Sequence, residues 1–95
     1  MKSESQTLYH ATDRTKLPSI MRDGLLTSKS TMGEPIVCLS DGESALEFCD
    51  NFSDPVIIAV SLPRDWPLFP DPFVGDLTCV SREDIPVKYL RVERL

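Results

Sequence analysis

The chain contains a single histidine, His10, and this residue is the first candidate for chemistry. An imidazole titrates near neutral pH and offers two ring nitrogens, so it serves as an acid–base catalyst, a metal ligand or a ligand contact. Tyr9 and Thr12 place an aromatic ring and a hydroxyl beside it in the chain. A lone histidine next to a tyrosine is more commonly a hydrogen-bonded structural ring. The residues by themselves leave both roles open.

Carboxylates late in the chain offer an acidic partner for His10. Asp76 follows Gly75 and opens an apolar run, which suits either a turn residue or an acid at the start of a strand. A carboxylate in a site stabilises positive charge that develops on a substrate. Glu83 and Asp84 precede another apolar segment, and for them a solvated turn is the favoured interpretation.

The cysteines are the remaining reactive side chains. Cys38, Cys49 and Cys79, together with His10, would in principle supply a zinc site. None of them has the close-pair spacing of zinc ligands, and an odd number without tight spacing is not typical of a disulfide framework. We therefore expect buried thiols, no metal, and a reducing cytoplasmic setting.

Size and charge limit the function classes. The 95 residues indicate one domain, and the net charge is −5. An acidic chain repels phosphate backbones and acidic lipid surfaces, so neither non-specific nucleic-acid binding nor membrane binding is expected. The opening MKSESQ lacks the apolar region of a signal peptide, and no apolar run has membrane-spanning length.

The first half of the chain predicts two strands and two short helices. Residues 1–6 are polar and predicted to be disordered, with a single domain over residues 7–95. A strand over residues 7–11 carries His10, and a helix that begins near Pro18 ends at Gly24. Residues 36–39 form a second strand. Ser40 or Asp41 then caps a helix over residues 43–49, whose apolar face holds Ala45, Leu46 and Cys49.

The second half predicts three strands around a long loop. Residues 56–62 are β-branched and almost wholly apolar, which indicates a central strand. A long loop over residues 64–76 contains Trp66, Phe69 and Phe73, and strands follow over residues 77–80 and 89–92. The predicted fold is a small α+β domain with a mixed or antiparallel sheet and two short helices.

Three segments resemble the motifs of the ADP-ribosyltransferase superfamily. The stretch LYHATDRTKLPSIMRDGL is similar to the opening motif of diphtheria-toxin-type transferases, poly-ADP-ribose polymerases and RNA 2′-phosphotransferases. IVCLSDGESALEF stands where the family has its middle motif, and GDLTCVSREDIPVKYLRV is similar to the last one. The resemblance covers most of residues 8–92. It implies an ADP-ribosyltransferase-like fold with NAD as substrate.

The resemblance also assigns roles to individual residues. His10 falls on the histidine that hydrogen-bonds an NAD ribose hydroxyl, and Thr12 falls where the family has a serine or threonine near the adenosine ribose. Asp76 is the nearest match to the catalytic glutamate. Ser40, in the middle motif, would be a secondary contact.

The middle motif departs from the family pattern. The family places a tyrosine there to stack on nicotinamide, whereas this chain has Val37, Cys38 and Leu39. A stacking ring would therefore have to come from elsewhere, and Tyr9 and Trp66 are the candidates.

Two functions follow. The first is an NAD-binding transferase that moves ADP-ribose to a macromolecular or small acceptor, with His10 and Asp76 as catalytic residues and Tyr9, Thr12 and Ser40 as further contacts. The second is a catalytically degenerate module that captures a nucleotide or docks on a protein partner, such as a phage- or mobile-element-encoded inhibitor of a host protein. An exposed aromatic patch over residues 66–73 would favour the second. The oligomeric state does not follow from the sequence.

Overall fold

Six strands and two helices make up the fold. The computed structural model describes residues 5–29, 35–71 and 75–94, and at positions 71, 75–77 and 94 it describes the backbone only. The strands are β1 (Ser5–Asp13), β2 (Val37–Ser40), β3 (Pro55–Pro63), β4 (Phe69–Asp71), β5 (Gly75–Ser81) and β6 (Leu90–Arg94). The helices are α1 (Leu17–Asp23) and α2 (Gly42–Phe48). Short 3₁₀ turns cover Arg14–Lys16, Thr27–Lys29, Cys49–Asn51 and Val87–Tyr89.

The strands form one sheet in the order β4-β5-β2-β1-β3-β6, and every described pair is antiparallel. This confirms the predicted α+β class with two short helices and shows that the sheet is antiparallel rather than mixed. The apolar run of β3 lies between β1 and β6, as expected of a central strand. It pairs with β1 along its whole length, from Ser5 opposite Pro63 to Asp13 opposite Pro55.

Three local expectations differ from the structure. The segment predicted as a loop contains β4, a short edge strand that pairs with β5, and β5 itself begins at Gly75. Pro70 is compatible with an edge position because an edge strand has backbone groups without ladder partners. Ser5 and Gln6, in the segment expected to be disordered, pair with β3. Phe73 lies outside the described residues.

The helices cover opposite faces of the sheet. α1 buries Ile20 against a core cluster that includes Ile58 and Val60 of β3. α2 begins against the ring of Tyr9, which alternates along β1 with the residues of the α1 face. Asp41 caps α2, accepting a 2.8 Å bond from the Ser44 amide. The predicted apolar face of α2 is wrong at Leu46, whose side chain is 45% exposed.

The chain after α1 is tied to the segment before β6. Gly24 ends the helix with φ 91°, and Leu25 and Ile85 then exchange two backbone hydrogen bonds of 2.9 Å. Thr27 donates from its amide and its hydroxyl to one carboxylate oxygen of Asp84, at 2.8 and 2.9 Å. These bonds hold the pKa of Asp84 below its ordinary value. The carboxylate of Asp84 therefore links the segment after α1 to the segment before β6.

Gly24→Ala tests this junction. The positive φ is unfavourable for a side chain, and a Cβ atom would collide with the backbone carbonyl of Ile85. We expect the free energy of unfolding to fall by at least about 2 kcal/mol in urea denaturation. Gly42→Ala is the control, because a Cβ there would meet the Tyr9 ring at an ordinary 3.7 Å. Equal stability of the two variants would contradict this role of Gly24.

Candidate functional site

A pocket lies where the ladder between β1 and β2 stops. Among the described residues these strands pair only at Tyr9 and Ser40, although each continues beyond that point. The space between them has a volume of about 500 Å³ and is bounded by α1 and by the end of α2. All described residues that line it fall within residues 9–52. They are Tyr9, His10, Ala11, Thr12, Lys16, Ser19, Ile20, Gly24, Leu25, Leu26, Lys29, Ile36, Val37, Cys38, Leu39, Ser40, Phe48, Asn51 and Phe52.

His10 bridges the two strands at this opening. Its Nδ1 lies 2.9 Å from the carbonyl oxygen of Cys38. Because a carbonyl only accepts, Nδ1 donates, and the other nitrogen, Nε2, is left as an acceptor in the neutral ring. Burial lowers the pKa of His10 below its ordinary value of 6.5, and the bond to Cys38 opposes this shift to a smaller extent. The ring is therefore uncharged at neutral pH.

The other predicted contacts line the same pocket. Tyr9, Thr12 and Ser40 all lie on its wall, close to His10. Thr12 and Ser40 are buried. The Ser40 hydroxyl donates to the carbonyl of Asp41 at 3.1 Å, so its own proton is already engaged. Four residues that the family resemblance singles out are thus brought together.

Asp76 belongs to a strand farther along the sheet. Tyr9 pairs with Ser40, and Ser40 pairs with Thr78, so the row through Tyr9 reaches β5 two residues from Asp76. The structure describes only the backbone of Asp76. No aspartate or glutamate occurs among the described residues of the pocket wall. The juxtaposition of His10 and Asp76 across one pocket stays a prediction.

Two lysines on the pocket wall were not anticipated from the sequence. Lys16 and Lys29 both line the pocket, and each ends a 3₁₀ turn beside α1. The chain as a whole has 15 acidic and 10 basic residues. The pocket wall, as far as it is described, therefore has the opposite charge balance to the chain. The sequence contained no indication of these two lysines because the turns that place them have no recognisable pattern in the sequence.

The aromatic residues divide between the pocket wall and the surroundings of the core cluster. Tyr9 lines the pocket, as do Phe48 and Phe52, which the sequence did not indicate. Trp66 does not: its Nε1 donates to the Ser81 hydroxyl at 3.0 Å, and it packs edge-on against Tyr89. Of the two residues considered from the sequence as stacking rings, Tyr9 lines the pocket and Trp66 does not. On the β2 side, Val37, Cys38 and Leu39 make most of the wall apolar.

The cysteines are thiols and each is half-buried. Only Cys38 contributes to the pocket wall. Within residues 5–29, 35–71 and 75–94, no group of three or more histidine, cysteine, aspartate or glutamate side chains is arranged to hold a metal ion.

Two comparisons of the sequence with known proteins give no match. A scan against protein-family models matches no family, and a search of curated proteins finds no significant match. In the described part of the chain, neither α1 nor α2 has the length and apolar character needed to cross a bilayer.

The lowered pKa of His10 predicts a pH dependence of stability. The unfolded chain takes up a proton near pH 6.5 and the folded chain only at lower pH, so the free energy of unfolding should fall as pH drops below 6.5. The depressed pKa values of Asp13, Asp23 and Asp84 start from 3.8, so their contribution is lost only in a more acidic range. Urea denaturation at about pH 7.5 and 5.5 measures the effect.

His10→Asn is the matched variant, because the asparagine amide reaches about as far as Nδ1 and can donate to Cys38. The free energy of unfolding of this variant should not show the decrease that the wild-type protein shows between these two pH values. Direct NMR titration of the one imidazole should give a pKa below 6.5 and a proton on Nδ1. A pKa at or above 6.5 would contradict the assigned environment.

Proposed function

We propose that this protein is an ADP-ribosyltransferase-like protein that binds NAD in the pocket between β1 and β2 and transfers ADP-ribose to a macromolecular or small acceptor. The observation that carries the proposal is the convergence of Tyr9, His10, Thr12 and Ser40 on one pocket. The motif match assigns His10 and Thr12, and Tyr9 and Ser40 are the further contacts predicted beside them, without reference to a pocket. The volume of about 500 Å³ is in the range of small-molecule sites.

The state of His10 suits a ribose hydroxyl. The uncharged ring holds Cys38 through Nδ1 and keeps Nε2 as an acceptor. A ribose hydroxyl donates to such an atom, and a hydrogen bond in a partly buried site orients the sugar. Thr12 supplies a hydroxyl beside it, and the aromatic ring of Tyr9 offers a surface for a base.

Transfer would proceed by cleavage of the bond between ribose C1′ and the nicotinamide nitrogen. The bonding electron pair leaves with nicotinamide, which becomes neutral, and positive charge develops on the sugar. A nucleophile of the acceptor, or water, bonds to C1′ and releases its proton. The role proposed for Asp76 is to stabilise the sugar cation through its carboxylate.

A second candidate is a binding module without turnover. The described wall of the pocket carries no carboxylate, and the β2 wall has Val37, Cys38 and Leu39 in place of a stacking tyrosine. Both features favour capture of a nucleotide over its cleavage. On this alternative the protein would act by binding, for instance as an inhibitor encoded by a phage or mobile element.

Titration of NAD by calorimetry tests the binding step. The wild-type protein should give saturable heat. His10→Asn keeps the donor to Cys38 but lacks an atom at Nε2, so its affinity should fall by about tenfold. His10→Gln extends an amide oxygen to the Nε2 position and should recover part of the affinity. Absence of wild-type binding, or equal affinity of the asparagine variant, would contradict the role of His10.

Release of nicotinamide from NAD separates the two candidates. Asp76→Asn keeps the shape of the side chain and removes its charge. We expect at least about a hundredfold loss of turnover with NAD affinity changed by less than about threefold. Wild-type protein that binds NAD without releasing nicotinamide would support the binding module instead. Undiminished turnover in the variant would exclude Asp76 as the catalytic acid.

A further inference from the structure

The charge of the pocket wall indicates the class of ligand. Among 15 acidic and 10 basic residues in the chain, the described wall includes two lysines and neither aspartate nor glutamate. His10 adds no charge, since burial keeps its pKa low. The described wall is thus cationic on a molecule of net charge −5.

We infer that Lys16 and Lys29 bind the phosphate groups of a nucleoside diphosphate in this pocket. The inference deepens the proposed function and rests on it for the location of the ligand. NAD itself carries a diphosphate, so the inference adds which part of the ligand is held at this side of the pocket, and two residues that the motif resemblance does not assign.

The two lysines reach the pocket from opposite ends of α1. Lys16 directly precedes the helix, and Lys29 ends the turn that follows it. The helix has seven residues and is about 10 Å long. The two lysines therefore join the pocket wall at separate points of the backbone, so each can meet one of two linked phosphates.

Neither lysine is neutralised by a described ion pair. The described salt bridges use arginines instead: Arg14 with Asp54, Arg22 with Asp23, and Arg91 with Glu93. Lys29 is close enough to Asp23 to contribute to the lowered pKa of that carboxyl, but the hydrogen bond from Arg22 is the largest cause. Asp23 does not line the pocket.

The lysines, His10 and the aromatic residues of the pocket wall each complement a different part of a nucleotide. Lys16 and Lys29 are exposed side chains, and a lysine ammonium binds phosphate as a compact charge. The neutral His10 accepts from a sugar hydroxyl, and the aromatic residues Phe48 and Phe52 offer apolar surface. A nucleoside would use only the last two features. The phosphates should therefore provide much of the affinity of a nucleotide and most of the salt dependence of its binding.

Calorimetric titration with ADP, adenosine and inorganic pyrophosphate tests this assignment. ADP should bind the wild-type protein, and adenosine should bind at least about tenfold more weakly. Lys16→Gln and Lys29→Gln should each weaken ADP binding by about five- to tenfold and leave adenosine unaffected. Pyrophosphate should compete with ADP, and raising the salt concentration should weaken ADP more than adenosine.

Lys88→Gln is the matched control. It removes the same charge from the exposed side chain that lies over the Tyr89 ring, away from the pocket wall. Its ADP affinity should stay within about twofold of wild type. Equal effects of the three substitutions would overturn the inference, because they would show a response to net charge alone. Failure of the wild-type protein to bind ADP would also overturn it.

The outcomes separate this inference from the proposed function. Binding of NAD that is indifferent to Lys16 and Lys29 would overturn the phosphate assignment and leave the NAD proposal intact. Lysine-dependent binding of ADP without binding of NAD would contradict the NAD proposal and support the phosphate site. A thermal melt of each variant verifies that affinity changes come from folded protein.

Discussion

The hydrogen bond from His10 to the Cys38 carbonyl is the contact on which the pocket depends. It joins β1 to β2 at the point where their backbone ladder ends, so a side chain takes the place of a ladder bond. If the backbone hydrogen bonds between β1 and β2 continued along both strands, the space between them would close. Without the His10 side chain, β1 and β2 would lose this link beside the opening. His10 therefore links the two strands through Nδ1, and its second ring nitrogen, Nε2, is left as an acceptor.

Pairing elsewhere in the sheet stabilises β1 and β2 although they are partly separated from each other. β3 pairs with β1 over nine residues, and its side chains are largely buried. β1 is therefore held on one side along its full length while its other side is partly released. β2 is likewise held by β5, residue for residue from Val37 to Ser40. The pocket is a gap between two well-supported pairs of strands.

The sequence predicted the regular parts of this arrangement because local pattern determines them. β3, α1 and the glycine that ends it follow from β-branched residues, a proline near the helix start and an apolar face. β4 was missed because Pro70 and its neighbours have no strand pattern, and only pairing with β5 orders them. Leu46 was misplaced because α2 is short, so its exposed side is set by the packing of its neighbours rather than by periodicity.

The sequence predicted some residues of the candidate site and missed others. Motif resemblance singled out Tyr9, His10, Thr12 and Ser40, which do share one pocket. It gave no indication of Lys16 or Lys29, because their position depends on how two irregular turns flank α1. The bond between His10 and Cys38 was also hidden, since a backbone carbonyl carries no residue signature. Side-chain identity predicts candidates, whereas tertiary geometry decides which of them meet.

Four residues of the pocket wall also belong to the core cluster: Ile20, Leu25, Val37 and Leu39. Every described residue of the wall falls within residues 9–52, while β3, β5 and β6 follow it. Lys16, Ser19 and Lys29 line the wall without belonging to that cluster, so substitutions there can alter selectivity with little loss of packing. A small scaffold of this kind can vary its recognition at the polar margin of the pocket, whereas changes at the shared positions would alter the pocket and the core together.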